Sequence, residues 1–149
     1  MTTLNLQVSS DNDDAYEWEG DSTVYGIGGS DTADYMSSRA TAGDQDWAGF
    51  RFQNVTGPNG ATINTATLTF TAENSTNPSS CQLRVYGDDV DDAPAWGAGD
   101  SPKDVTTTTA STNWDPSAWV VDSEYEVDVT DIIQEIVNRG GWASGQDLR

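Results

Sequence analysis

Short runs of alternating apolar and polar residues, broken by turn residues every ~8–15 positions, constrain this chain most. The clearest run is Ala66-Thr67-Leu68-Thr69-Phe70-Thr71-Ala72, where Leu68 and Phe70 point one way and the threonines the other. Period two is the repeat of a half-buried strand, and β-branched threonine suits a pleated surface. Similar patterns occur at Leu4–Val8, Ala15–Trp18, Val24–Ile27, Asp34–Arg39, Trp47–Val55, Gln82–Tyr86 and Tyr125–Val129. Val105–Thr109 and Ala118–Val121 are weaker strand candidates. Gly57-Pro58-Asn59-Gly60 is a turn by composition.

One segment breaks the pattern. Val129, Ile132, Ile133, Ile136 and Val137 recur at helical spacing, one apolar stripe on a 3.6-residue period. Asp128 and Thr130 are candidate caps, Asp131 suits the positive end of the helix dipole, and Gly140-Gly141 ends the run. Many strands and one late helix predict an all-β chain: an antiparallel β-sandwich with a helical crossover. The length of 149 residues fits a single domain over 1–149, with no internal repeat.

Charge narrows function. Twenty-five Asp and Glu face six Lys and Arg, for a formal net charge of −19, and histidine is absent. Such a surface repels nucleic acid and anionic lipid. Without histidine the commonest general base and transition-metal ligand are missing, and a Ser–His–Asp triad is impossible. Carboxylate pairs are plentiful, but no spacing singles out two for glycosidase chemistry, so no enzymatic activity is expected. Salt adaptation or solubility on a crowded surface accounts for the acidity without any specific task.

Hard cations remain a possibility for acidic loops, because Ca²⁺ takes its ligands from carboxylates and carbonyls. The densest cluster, Asp88, Asp89, Asp91 and Asp92, is the calcium candidate, ahead of Asp11/Asp13/Asp14 and Asp44/Asp46; none fits the EF-hand spacing. No other cofactor is expected. Among Trp18, Trp47, Trp96, Trp114, Trp119 and Trp142, the three in polar surroundings, Trp96, Trp114 and Trp119, are candidates for stacking on a glycan or meeting a protein. Cys81 has no second cysteine to pair with and is expected at a strand start, half-buried. Asn54-Val55-Thr56 and Asn74-Ser75-Thr76 have the form of sequons and are read as turn residues. Met1–Leu6 has neither a basic nor an apolar leader, and no stretch approaches a membrane span.

Trp47-Ala48-Gly49-Phe50-Arg51-Phe52, followed by Asn59-Gly60-Ala61-Thr62-Ile63-Asn64-Thr65-Ala66-Thr67-Leu68-Thr69-Phe70, resembles the DNRLRE-type β-sandwich. These are jelly-roll modules of bacterial surface proteins, related to alginate-type carbohydrate-binding modules. Asp14-Ala15-Tyr16, Val24-Tyr25-Gly26, Val85–Pro94 and Val129–Gly145 extend the resemblance over most of the chain. It implies a jelly roll, not a ligand. Such modules continue past the helix with one or two closing strands, whereas this sequence stops at Gln146–Arg149. The domain is therefore expected to lack its final strand or strands, with the open edge closed by another chain.

Two functional expectations follow. The first is a structural or decoration protein of a particle or surface assembly, such as a bacteriophage virion, in a homo- or hetero-oligomer of protein subunits. The second is a carbohydrate-binding or adhesion module of a larger bacterial surface protein, with a glycan as partner. Nucleic acid and membrane are not expected partners, and the expected location is a virion or an extracellular surface.

Overall fold

In the computed structural model, residues 2–18, 23–25, 45–73, 75, 82–116 and 118–149 are described. Their strands are β1 (Asp14–Trp18), β2 (Thr23–Tyr25), β3 (Asp46–Phe50), β4 (Phe52–Val55), β5 (Thr67–Thr71), β6 (Leu83–Val85), β7 (Thr112–Trp114), β8 (Glu124–Asp128) and β9 (Gln146–Leu148). Helix α1 spans Thr130–Val137, and a 3₁₀ turn covers Pro102–Asp104. Among the described residues the strands form antiparallel sheets: β2-β1-β3, β4-β9, β5-β8 and β6-β7. None of their helices is long and apolar enough to cross a membrane.

The expected strand over Trp47–Val55 is two strands that part at Arg51. β3 pairs with β1, whereas β4 pairs with β9, so the chain changes sheets at this residue. Asn54 adopts a positive φ of 55° inside β4, where the register shifts between Phe52 and Val55. Asparagine tolerates that conformation better than most residues, so the first sequon marks a bulge rather than a turn.

The helix organises the principal core. Its buried face, Ile132, Ile136 and Val137, packs with Val55, Val127, Val129, Trp142 and Leu148. Each such aliphatic side chain contributes ~1.5–3 kcal/mol on full burial. Leu68 and Phe70 of β5 lean on the same cluster, as the alternating run predicted. The N-cap position falls on Val129, without a side-chain cap, rather than on Asp128 or Thr130; Asp128, one residue earlier, accepts the Thr130 N–H at 2.8 Å. At the other end, Gly60 N–H and the Asn59 amide donate to the Val137 carbonyl at 3.0 and 3.2 Å.

A polar side chain of α1 also explains one absent strand. Glu135 accepts the N–H groups of Thr109 and Ala110 at 2.8 and 2.7 Å, taking the place of a ladder partner. Val105–Thr109 therefore forms only an isolated bridge, Asp88 to Thr107. Residues 120–123 turn back into β8, with Ser123 N–H bonded to the Val120 carbonyl at 3.0 Å and Asp122 at φ 64°. Leu4–Val8 joins no strand either. The short strand β7 escaped the alternation pattern because only Trp114 marks it in sequence.

The C-terminal expectation is corrected at one point. Gln146–Leu148 does not await a strand from elsewhere: Phe52 pairs with Leu148 and Val55 with Gln146. On its other side, Ala93 N–H donates to the Asp147 carbonyl at 3.0 Å and Asp88 N–H to the Arg149 carbonyl at 2.7 Å. Leu148 is buried in the core, so apolar burial and a backbone ladder hold this segment within its own chain.

Candidate functional site

The loop after β6 carries the four aspartates expected to bind calcium, and the structure divides them. Asp88, nearly fully buried, accepts from Arg149 at 2.6 and 2.9 Å. Asp89 and Asp91 both pair with Arg139, just past α1. Asp92 accepts the Asp147 N–H at 2.9 Å. One oxygen of each of these carboxylates is thus engaged by a guanidinium group or a backbone amide. No group of three or more acidic, His or Cys side chains among the described residues is placed to hold a metal.

Asp13, from the second acidic cluster, has a fully buried side chain. Arg51 meets it at 2.7 Å, pairs with Asp147, and donates through Nε to the Ala93 carbonyl at 2.8 Å. Gln53 and Ser10 add bonds to Asp13 at 2.7 and 2.8 Å. One arginine, placed where the chain changes sheets, therefore ties the entry to β1, the acidic loop and β9 together. Arg149 does similar work nearby: its guanidinium lies 3.9 Å over the Trp96 ring while holding Asp88. Asp46 lies at the start of β3, whereas Asp44 and Cys81 are outside the described residues, as are Asn74 and Thr76 of the second sequon.

Asp13 and its neighbour Asp14 titrate in opposite directions. Burial pushes Asp13 up, but hydrogen bonds from Ser10, Arg51 and Gln53, with the Arg51 charge, outweigh it and hold the carboxyl below its ordinary value. Its stabilising contribution is complete above the ordinary carboxylate range and lost as pH falls through the depressed value. Burial raises Asp14, and the charges of Asp11 and Asp13 add to it. Ionised Asp14 therefore costs stability at neutral pH, a cost that vanishes as pH falls from the raised value to the ordinary one. Asp14→Asn is expected to raise the urea midpoint at pH 7 and to leave it unchanged near pH 3. An equal rise at both would contradict this assignment.

The tryptophan candidates separate just as clearly. Trp96 is only 2% exposed and is corrected from surface platform to packing residue. Gly49 makes room for it, since a Cβ there would fall on the indole ring. Trp114 and Trp119 are half-buried and belong to an aromatic series. Phe50 meets Phe70 edge-on at 5.4 Å, Phe70 stacks on Trp114 at 5.5 Å, Trp114 meets Trp119 at 5.7 Å, and Trp119 tilts onto Tyr125 at 4.4 Å. Val120 and Val121, 53% and 46% exposed, lie beside its outer end. Sequence reading missed Phe50, Phe70 and Tyr125 as members, because each also reads as an ordinary strand residue.

The inner end of the series opens on a cleft of about 1420 Å³. Phe50, Leu68, Phe70, Leu83 and Val85 line it, with Ile132 and Ile136 of α1. Among the described residues its charged lining side chains are Asp46, Arg84, Asp88 and Arg149, two of each sign. Asp88 and Arg149 pair with each other, and Arg84 bonds Ser111 at 2.9 Å and covers the Tyr86 ring. Long uncharged stretches, such as 52–72 and 105–114, supply much of the wall. A chain of net charge −19 has thus kept this cleft electrically neutral.

Comparison with family profiles, curated proteins and solved structures gave no match. The likeness to DNRLRE-type modules accordingly rests on the sequence motifs alone.

Proposed function

We propose that this chain is a non-enzymatic structural module, a β-sandwich of jelly-roll type that builds a particle or surface assembly such as a bacteriophage virion. The neutral apolar cleft is the observation that carries this reading. Copies bearing −19 repel over most of their surface. Where charge is absent, apolar burial can act between chains with little electrostatic opposition. The arginines that could have served an active site, Arg51, Arg139 and Arg149, instead pair with aspartates that hold the fold together.

Sedimentation of the purified chain over a range of protein and salt concentrations tests the proposal. Association is expected to rise with protein concentration and to strengthen with salt, as residual repulsion is screened within ~3 Å at 1 M. A monomer under all conditions would refute it.

The Trp114–Trp119–Tyr125 series favours a second reading, a carbohydrate-binding module, because sugar faces stack on exposed indole rings. Saturable binding on a glycan array, lost in Trp119→Ala but kept in a variant of exposed Val121, would select it instead.

A further inference from the structure

We infer that Asn59 is a site of spontaneous covalent modification, deamidation to an aspartyl residue, and that the C-terminal end of α1 gates it. Asn59-Gly60 is the chain's one Asn-Gly step. That dipeptide is the most labile for this chemistry, because glycine has no side chain to hinder the approach of its own nitrogen. The Gly60 nitrogen attacks the Asn59 carboxamide carbon. A new C–N bond closes a succinimide ring, the old C–N bond of the carboxamide breaks, and its nitrogen leaves as ammonia. Water then opens the ring to an aspartyl or isoaspartyl residue. No oxidant is needed, and Asn59 and Gly60 are both exposed to the water that the last step consumes.

The fold holds both reacting groups. Gly60 N–H donates to the Val137 carbonyl at 3.0 Å, and the Asn59 amide donates to the same oxygen at 3.2 Å and to the Arg139 carbonyl. Val137 is the last residue of α1, and its carbonyl is among those a helix leaves without an internal partner. Ring closure must release these bonds first, so the reaction runs from a locally opened turn. Neighbouring contacts oppose that opening. The Trp142 indole N–H donates to the Gly57 carbonyl at 2.9 Å. The Gln134 side chain accepts the Ile63 N–H at 2.8 Å and donates to the Ala61 carbonyl at 2.9 Å.

The same geometry explains why the labile pair sits here. Gly60 has a φ of 69°, which glycine adopts without steric cost. Asn59 donates to two carbonyl oxygens, a task that an ionised carboxylate cannot perform. Latching the helix end therefore uses the two residues that together are most prone to react. After deamidation the new carboxylate faces the Val137 and Arg139 carbonyls with no proton to donate, at the negative end of the helix dipole. The turn before β5 then loses its hold on α1. Modification is a one-way release of this corner of the principal core, where Val137 and Trp142 are buried.

Peptide mapping by mass spectrometry, following the amide-to-acid change at each asparagine at neutral pH, tests this in the full chain. In unfolding urea Asn59 should convert faster than any other asparagine. In the folded protein its conversion should be at least about tenfold slower, as the latching bonds must open. Trp142→Phe keeps the dipeptide but lacks the Gly57 bond, and should speed conversion in the folded state about three- to tenfold. Arg51→Met, destabilised at a different place, should leave the rate within about twofold of the parent. Equal rates in buffer and urea, an unchanged rate in Trp142→Phe, or the same acceleration in Arg51→Met would overturn the gate. Asn59→Asp reproduces one product, and should lower the melting temperature by about 4–8 °C and by more than Asn59→Ala, which removes the donor without adding charge. A melting temperature for Asn59→Asp at or above that of Asn59→Ala would overturn the release.

Discussion

Replacing Arg51 with methionine is expected to cost about 3 kcal/mol, the lower end of the range for breaking a buried ion pair. Methionine keeps much of the arginine stem's apolar packing, so the loss reads the charge and the hydrogen-bonding fork. Asp13, with no exposed side-chain surface, would be left ionised beside the neutral donors Ser9, Ser10 and Gln53. Asp147 would lose its tie to the sheet junction, and the Ala93 carbonyl its donor. Arg51 itself is 14% exposed, so water screens part of the interaction, which argues against the upper end of that range. The melting temperature should fall by about 6–12 °C for a chain of this size. Asp13 should also titrate higher without its guanidinium, so acid unfolding should begin at higher pH than in the parent. Arg51→Lys should recover part of the loss, since an ammonium keeps the charge but cannot span Asp13, Asp147 and the Ala93 carbonyl together. Urea unfolding across a pH series measures all three effects. A loss below about 1 kcal/mol with an unmoved acid limb would mean that the network is a surface ornament.

Trp142→Ala is expected to cost ~3–5 kcal/mol, the range for deleting a buried aromatic. Trp142 is 3% exposed and packs in the cluster that joins α1, β4 and β9. Its indole N–H donates to the Gly57 carbonyl at 2.9 Å, tying the turn before β5 to the segment after the helix. Trp142→Phe separates the contributions: it retains most of the buried surface and should cost about 1–3 kcal/mol through the carbonyl left without its donor. Equal effects from both substitutions, measured by chemical unfolding, would show that the hydrogen bond rather than packing holds this corner.

Particular residues show how far the sequence was legible. Helix α1 was readable because Ile132, Ile136 and Val137 repeat at a period no strand shares. Strands β5 and β8 were readable because Leu68, Phe70, Tyr125 and Val127 alternate across their whole length. Val105–Thr109 misled, since its β-branched residues promise a strand while Glu135, 25 positions or more away, takes its backbone donors. The candidate site was less legible still. Asp88, Asp89, Asp91 and Asp92 look like one cation site in sequence, but Arg139 and Arg149, some fifty or sixty residues later, divide them. Trp96 looked exposed because its neighbours are polar, and it is buried because Gly49 leaves it space.

Local order thus follows from the sequence by itself: the period of apolar residues states which face of each strand or helix seeks burial, a property of neighbours along the chain. Tertiary structure alone decided which strands pair, where the chain changes sheets at Arg51, and which acids meet which arginines. Those outcomes depend on contacts between residues far apart in sequence, and a side chain's own neighbours carry no record of the charge or space that folding will bring beside it.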